Sequence, residues 1–152
     1  MPIKSITITG VNEVTAKLKR VNDFLMSTTP MQETCDDIKA GVLDKTAKGH
    51  DYMGRNFKPL SKIYAKAKGK SRADLRDTGE MLDGMTAKAL SNKQGEVAIT
   101  GRRAIVGWFH NEGGPKEGRP PQREFMNISD SGLANIVKKR FDDPLMKLLG
   151  RK

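Results

Sequence analysis

Two histidines, one cysteine and a row of carboxylates are the side chains in this 152-residue chain with types suited to acid–base, nucleophilic or metal chemistry. His50, His110 and Cys35 stand far apart. No pair has metal-ligand spacing, and neither a CxxC nor an HxxxH occurs. Cys35 falls on the apolar stripe of an amphipathic segment, where a small buried thiol is the expected role. A Cys–His nucleophilic pair needs only closeness in space. Yet nothing flanking Cys35 resembles a helix start or cationic nest that would acidify it. Asp74, Asp77, Glu80 and Asp83 recur at three-residue steps, which suggests a solvated helix face. Asn111-Glu112-Gly113-Gly114-Pro115 lacks the glycine spacing and Lys-Ser/Thr ending of a phosphate cradle. The residues therefore lead us to expect no enzyme, no cofactor and no metal.

Charge is the second signal. The chain holds 28 Lys and Arg against 18 Asp and Glu, a formal net of +10. Residues 49–123 hold fifteen bases and eight acids, a net of +7. Between Arg55 and Ala73 stand Arg55, Lys58, Lys62, Lys66, Lys68, Lys70 and Arg72, and no acid. Such a run could lie along phosphates, releasing counterions at each contact. It could equally be a solvated loop, or meet an acidic neighbour. Phe57 and Tyr64 are too few to suggest base stacking. No helix-turn-helix, zinc finger or RNA-binding signature is visible, so a nucleic-acid-binding module using 55–72 is the alternative function.

The elements that must position these residues follow from periodicity. Residues 3–9 are rich in β-branched side chains and predict a short strand ended by Gly10. Val11, Val14, Leu18, Val21 and Leu25 recur at helical steps and predict an amphipathic helix. In Thr29-Pro30-Met31-Gln32, Thr29 is suited to cap, Pro30 to the first helical position and Gln32 to a capping box. The second helix places Met31, Cys35, Ile38 and Val42 on one stripe and stops at Gly49. The two helices suggest a hairpin. Residues 50–76 predict a mostly extended basic loop with one helical turn near Ser61–Ala67. A short capped helix follows at 77–82. Residues 85–90, 95–100 and 104–109 are strand candidates. Gly101-Arg102-Arg103 predicts a turn that pairs the last two antiparallel. Trp108 and Phe109 are expected in the core, with a subunit interface as the alternative. Residues 111–124 predict an exposed loop whose Pro120-Pro121 is pre-shaped for lying on another subunit. Asp130 is positioned to cap a last helix with Leu133, Ile136, Val137 and Phe141 inward, restarting at Asp143-Pro144.

Length suits one domain, 1–152. Its parts are a strand and helical hairpin (1–49), a basic loop (50–76), a short helix, sheet and Pro/Arg loop (77–128), and a C-terminal helix (129–152). Aromatics are only 5%. The core must be small, and part of the chain is expected to gain order from a neighbour. One cysteine excludes an intramolecular disulfide and suits a reducing cytosol. No signal-peptide pattern opens the chain, and no apolar run approaches a membrane span. The protein is expected to be made and kept in solution, without a membrane partner.

Four pieces stand in a recognisable order. They are Asn56-Phe57-Lys58-Pro59-Leu60-Ser61, then Leu75-Arg76-Asp77-Thr78-Gly79-Glu80-Met81-Leu82, then Glu96-Val97-Ala98-Ile99 followed by Val106-Gly107-Trp108-Phe109-His110-Asn111-Glu112-Gly113-Gly114, then Arg119-Pro120-Pro121-Gln122-Arg123-Glu124-Phe125-Met126. Together they resemble the phage virion morphogenesis family, the Mu-like tail-completion and neck proteins. The resemblance covers residues 54–128 well and the flanking helices by type. Met81 stands where the family usually has Leu, and Arg119-Pro120-Pro121-Gln122 varies its Pro-x-Arg pattern.

The resemblance implies an α+β subunit with helices packed on a small antiparallel sheet, long extended loops and the ability to form rings. It implies a structural virion protein at the head–tail junction, built in the host cytoplasm and needed for tail completion and head–tail joining. Implied partners are further copies of itself, with a hexamer favoured, other head-closure, neck and tail-tube proteins, and DNA in the channel. Phe57, Pro59, Leu60, Thr78, Gly79, Gly107, Trp108, His110, Gly113, Gly114, Pro121, Arg123 and Phe125 become motif or subunit-interface candidates.

Overall fold

The computed structural model describes residues 10–113 and 120–150. The strand expected at 3–9 and residues 114–119 of the proline-rich loop, Gly114 among them, lie outside them. Seven α-helices and a two-stranded antiparallel sheet make up the described residues, an α+β fold. The elements are α1 (Val11–Met26), α2 (Thr29–Ala47), α3 (Lys62–Lys68), α4 (Glu80–Asp83), β1 (Met85–Ala89), β2 (Gly95–Ile99), α5 (Ala104–Glu112), α6 (Asp130–Val137) and α7 (Asp143–Leu148).

α2 is the spine. Its buried residues include Cys35 and Val42, as the stripe predicts, and it ends two residues before Gly49, whose φ is 75°. α2 packs across both strands. Gln32 does not cap the helix start. Its amide nitrogen donates to Ala87 O at 3.1 Å, and its amide oxygen accepts from Ala89 N at 2.9 Å. One carboxamide thus occupies the outer edge of β1 as a neighbouring strand would. At Gly95 the approach is closer still, since an added Cβ would lie 2.3 Å from Cys35 Sγ.

Strand pairing differs from expectation. β1 pairs β2, with Ala87 opposite Val97, through a turn in which Leu90 N and Ser91 N both donate to Gln94 O. Residues 104–109 are not a strand but part of α5. A short apolar run fits either period. Here Gly107 is buried and Val106, His110 and Asn111 are partly so, while Ile105 and Trp108 are exposed, which is helical spacing. Gly107 permits it: a Cβ there would meet Ile99 Cδ1 at 2.8 Å. Trp108 is consequently 52% exposed rather than core.

α1 forms as predicted but does not lie along α2. It packs against the C-terminal helices, with Phe24 edge-on to Phe141 at 6.5 Å. Those helices are continuous through a π turn at Lys138–Asp142, where Asp143 N donates to Lys138 O. The wider turn ends two residues before Pro144, which has no N–H to give. Ser129, not Asp130, caps the start, accepting from Gly132 N. Leu133 and Val137 stay partly exposed.

The core gathers Val42, Phe57, Ala73, Met81, Leu82, Met85 and Phe125. Each large apolar side chain there contributes about 1.5–3 kcal/mol. Phe57 and Ala73 come from the segment expected to be extended. That segment is anchored by a His50–Asn56 bridge, Phe57 N to Gly49 O at 2.7 Å, and Ser61-capped α3 closed by Gly69 at φ 65°.

Candidate functional site

Between α3, the 70–79 loop, α5 and residues 120–123 lies a cavity of about 710 Å³. Its walls include Pro59, Leu60, Thr78, Gly79, His110 and Pro121 from all four motif pieces, and Arg123 lines it from below the surface. Backbone and side-chain bonds hold the pieces together. Arg123 N donates to His110 O at 2.7 Å. Asn111 Oδ1 accepts from Phe125 N at 3.1 Å and Met126 N at 2.9 Å. Gly113, at φ 70°, is pressed so close to Gln122 that a Cβ would sit 2.8 Å from the Gln122 Cβ. Phe125 is thereby driven into the core, 1% exposed. The loop expected to be exposed, 111–124, is buried at Gly113 and Arg123.

Arg123 is 5% exposed. Its Nε and Nη2 donate to Lys58 O, each at 3.3 Å, and its Nη1 is 3.5 Å from His110 Nδ1. Burial lowers the His110 pKa, and the adjacent Arg123 charge lowers it further. Both effects favour the neutral imidazole, which can accept from the guanidinium. One cavity wall is strained: Leu75 has φ 53°, outside the favoured region for a branched side chain. Asp74 Oδ1 fixes that turn by accepting from Arg76 N at 3.0 Å.

The basic stretch is partly spent on the fold. Arg55 pairs with Asp51 at 2.7 Å, Lys70 with Asp74 at 2.9 Å, and Lys68 with Asp77. Arg72 donates to Ala47 O. Lys58, Lys62 and Lys66 make no ion pair with any described residue. The row Asp74, Asp77, Glu80 and Asp83 is not one solvated helix face. Glu80 takes Arg103 and Asp83 takes Arg76, so each of the four carboxylates faces its own base.

Cys35 is buried, and burial pushes its thiol pKa up. That argues against a thiolate nucleophile. Among the described residues no group of three or more His, Cys, Asp or Glu is placed to hold a metal ion, and no helix is long and apolar enough to cross a membrane.

The structure adds residues that sequence reasoning missed. Gln32 and Asn111 tie elements together through side-chain amides. Asp37 on α2 takes a bidentate Arg140, Nε and Nη2 each at 2.8 Å. Arg140 holds the Asp37 carboxyl down to about pKa 2, with help from Lys139. No local pattern signals such long-range pairs.

Uncovered apolar faces are the other notable feature. On α1, Val11, Val14 and Leu18 are 59%, 58% and 62% exposed. On α5, Ile105 and Trp108 point outward together. Comparison of the chain with protein-family models, with curated proteins and with solved structures finds no match.

Proposed function

We propose that this chain is a non-enzymatic structural subunit of a tailed-phage particle. In this proposal it assembles into a ring, with a hexamer favoured, at the head–tail junction. There it would act as a tail-completion, tail-terminator or neck connector protein, contacting neighbouring head-closure and tail-tube proteins.

The observation that carries the assembly part is the bare stripe of α1. A 16-residue helix keeps Val11, Val14, Leu18 and Leu25 at helical spacing and leaves them in solvent. A monomer gains nothing from such a stripe, whereas a neighbouring subunit would cover it. A closed ring needs two different complementary patches on each copy. The α1 stripe and the Ile105/Trp108 face supply two candidates. The phage assignment rests on the resemblance of the four motif pieces. Their convergence on one cavity supports treating them as a unit.

Light scattering on the purified chain, across concentration and at two salt levels, tests this. The expected result is a ring-sized mass, or a monomer that converts to one as concentration rises. Leu18→Glu should hold the chain monomeric while its circular dichroism stays unchanged, because an exposed substitution costs within about 0.5 kcal/mol of fold stability. A wild-type chain that stays monomeric at every concentration and salt sinks the proposal.

A further inference from the structure

We propose that the cavity is a binding site for an acidic side chain carried on an apolar peptide segment of a partner polypeptide, with Arg123 as the group that receives the carboxylate. A guanidinium keeps its charge even when buried. A buried charge normally has an anion beside it. Arg123 is 5% exposed, yet its acceptors are neutral: Lys58 O twice, and the imidazole of His110. Each terminal nitrogen retains a second N–H beyond these bonds. No carboxylate of a described residue pairs with it. The two acids on the cavity wall, Asp74 and Asp77, are already held by Lys70 and Lys68.

The surroundings select the kind of anion. Pro59, Leu60, Leu75, Val106, Pro120 and Pro121 make the walls largely apolar. The volume, about 710 Å³, falls within the range of about 300–1,000 Å³ usual for ligand sites. Lys70, Arg76 and Arg103 also line the cavity, but each is paired with a carboxylate, Asp74, Asp83 and Glu80 in turn. Apolar walls around one guanidinium that lacks a carboxylate partner fit a carboxylate flanked by apolar side chains. A phosphodiester chain would instead need a row of exposed cations and stacking faces. The cavity belongs to one chain, so the site is independent of ring formation. Failure of either proposal leaves the other standing.

The test uses the intact ¹⁵N-labelled chain and two synthetic peptides, acetyl-LFEFL-amide and its glutamine counterpart, acetyl-LFQFL-amide. NMR follows the Arg123 Nε–Hε resonance. The expected result is a saturable shift of that resonance by the glutamate peptide, with binding at least about tenfold tighter than for the glutamine peptide. Arg123→Lys keeps the charge but loses the planar fork, and should weaken binding about tenfold. Lys93→Gln, in the exposed turn between β1 and β2 and outside the cavity wall, should leave binding unchanged. Equal binding of the two peptides, or no shift up to millimolar peptide, overturns the proposal. So does a shift produced by oligothymidylate but by neither peptide. Should Arg123→Lys fail to fold, the glutamate–glutamine comparison on the wild-type chain decides alone.

Discussion

Replacing Asp37 by Asn tests how α2 is fastened to the C-terminal helices. Asp37 accepts two bonds from Arg140 at 2.8 Å and one from Lys139 at 3.1 Å. Its carboxyl is held at about 2 against an ordinary 3.8, chiefly by the Arg140 hydrogen bonds. A group with a depressed folded pKa binds its proton first in the unfolded chain. Its stabilisation is therefore complete above the unfolded value and disappears as pH falls through the folded one. A difference of 1.8 units (3.8 minus 2) corresponds to at most about 2.4 kcal/mol. Both side chains of the Asp37–Arg140 pair are 24% exposed, so solvent screening reduces this. We expect Asp37→Asn to cost ~1–2 kcal/mol at pH 6. Urea denaturation at several pH values should show the gap between wild type and variant shrinking to about half by pH 3. A gap that stays constant from pH 6 to pH 3, or is absent at pH 6, refutes the reasoning.

Two further outcomes follow from the packing and the charges. Gly95→Ala places a Cβ 2.3 Å from Cys35 Sγ and should lower stability by about 1–3 kcal/mol in thermal or urea melts. Cys35→Ala in the same chain should restore much of that loss, and no restoration would mean the clash is not the cause. For any DNA binding, only Lys58, Lys62 and Lys66 of the basic stretch are without ion-pair or backbone commitments among the described residues. The log–log salt slope at this stretch should be about −3, against about −6 if all seven bases met phosphates, and a filter-binding salt titration reads the difference.

The parts of the fold legible in the sequence are those set by local periodicity. Val11 to Leu25 and Met31 to Val42 announce α1 and α2 because helical spacing is written along the chain. The helical turn expected near Ser61–Ala67 is α3, whose caps, Ser61 and Gly69, are seen in the fold. What escaped is what depends on partners far away in sequence. Residues 104–109 have strand-like composition, yet they form a helix because Gly107 lets that helix sit on Ile99. The position of α1 is settled by Phe141, more than a hundred residues on. For the site, the motif residues were identified but their burial was not. Arg123 and Phe125 follow two prolines in a polar stretch, and only the bonds from His110 O and Asn111 Oδ1 draw them inward.

The same distinction applies to charge. In sequence, seven bases without an acid make a patch suited to polyanions. In the fold, acids from 51 to 77 come back to meet Arg55, Lys68 and Lys70, and Lys62 and Lys66 remain one turn apart on α3. Like charges at that spacing destabilise a helix slightly. Both lie on an exposed face and make no ion pair with any described residue. The buried cation, Arg123, lies on the opposite side of the balance: few solvent contacts, neutral acceptors, apolar walls. A surface lysine pair and a sheltered guanidinium recognise different chemistry, the first long-range and salt-sensitive, the second short-range and shape-dependent.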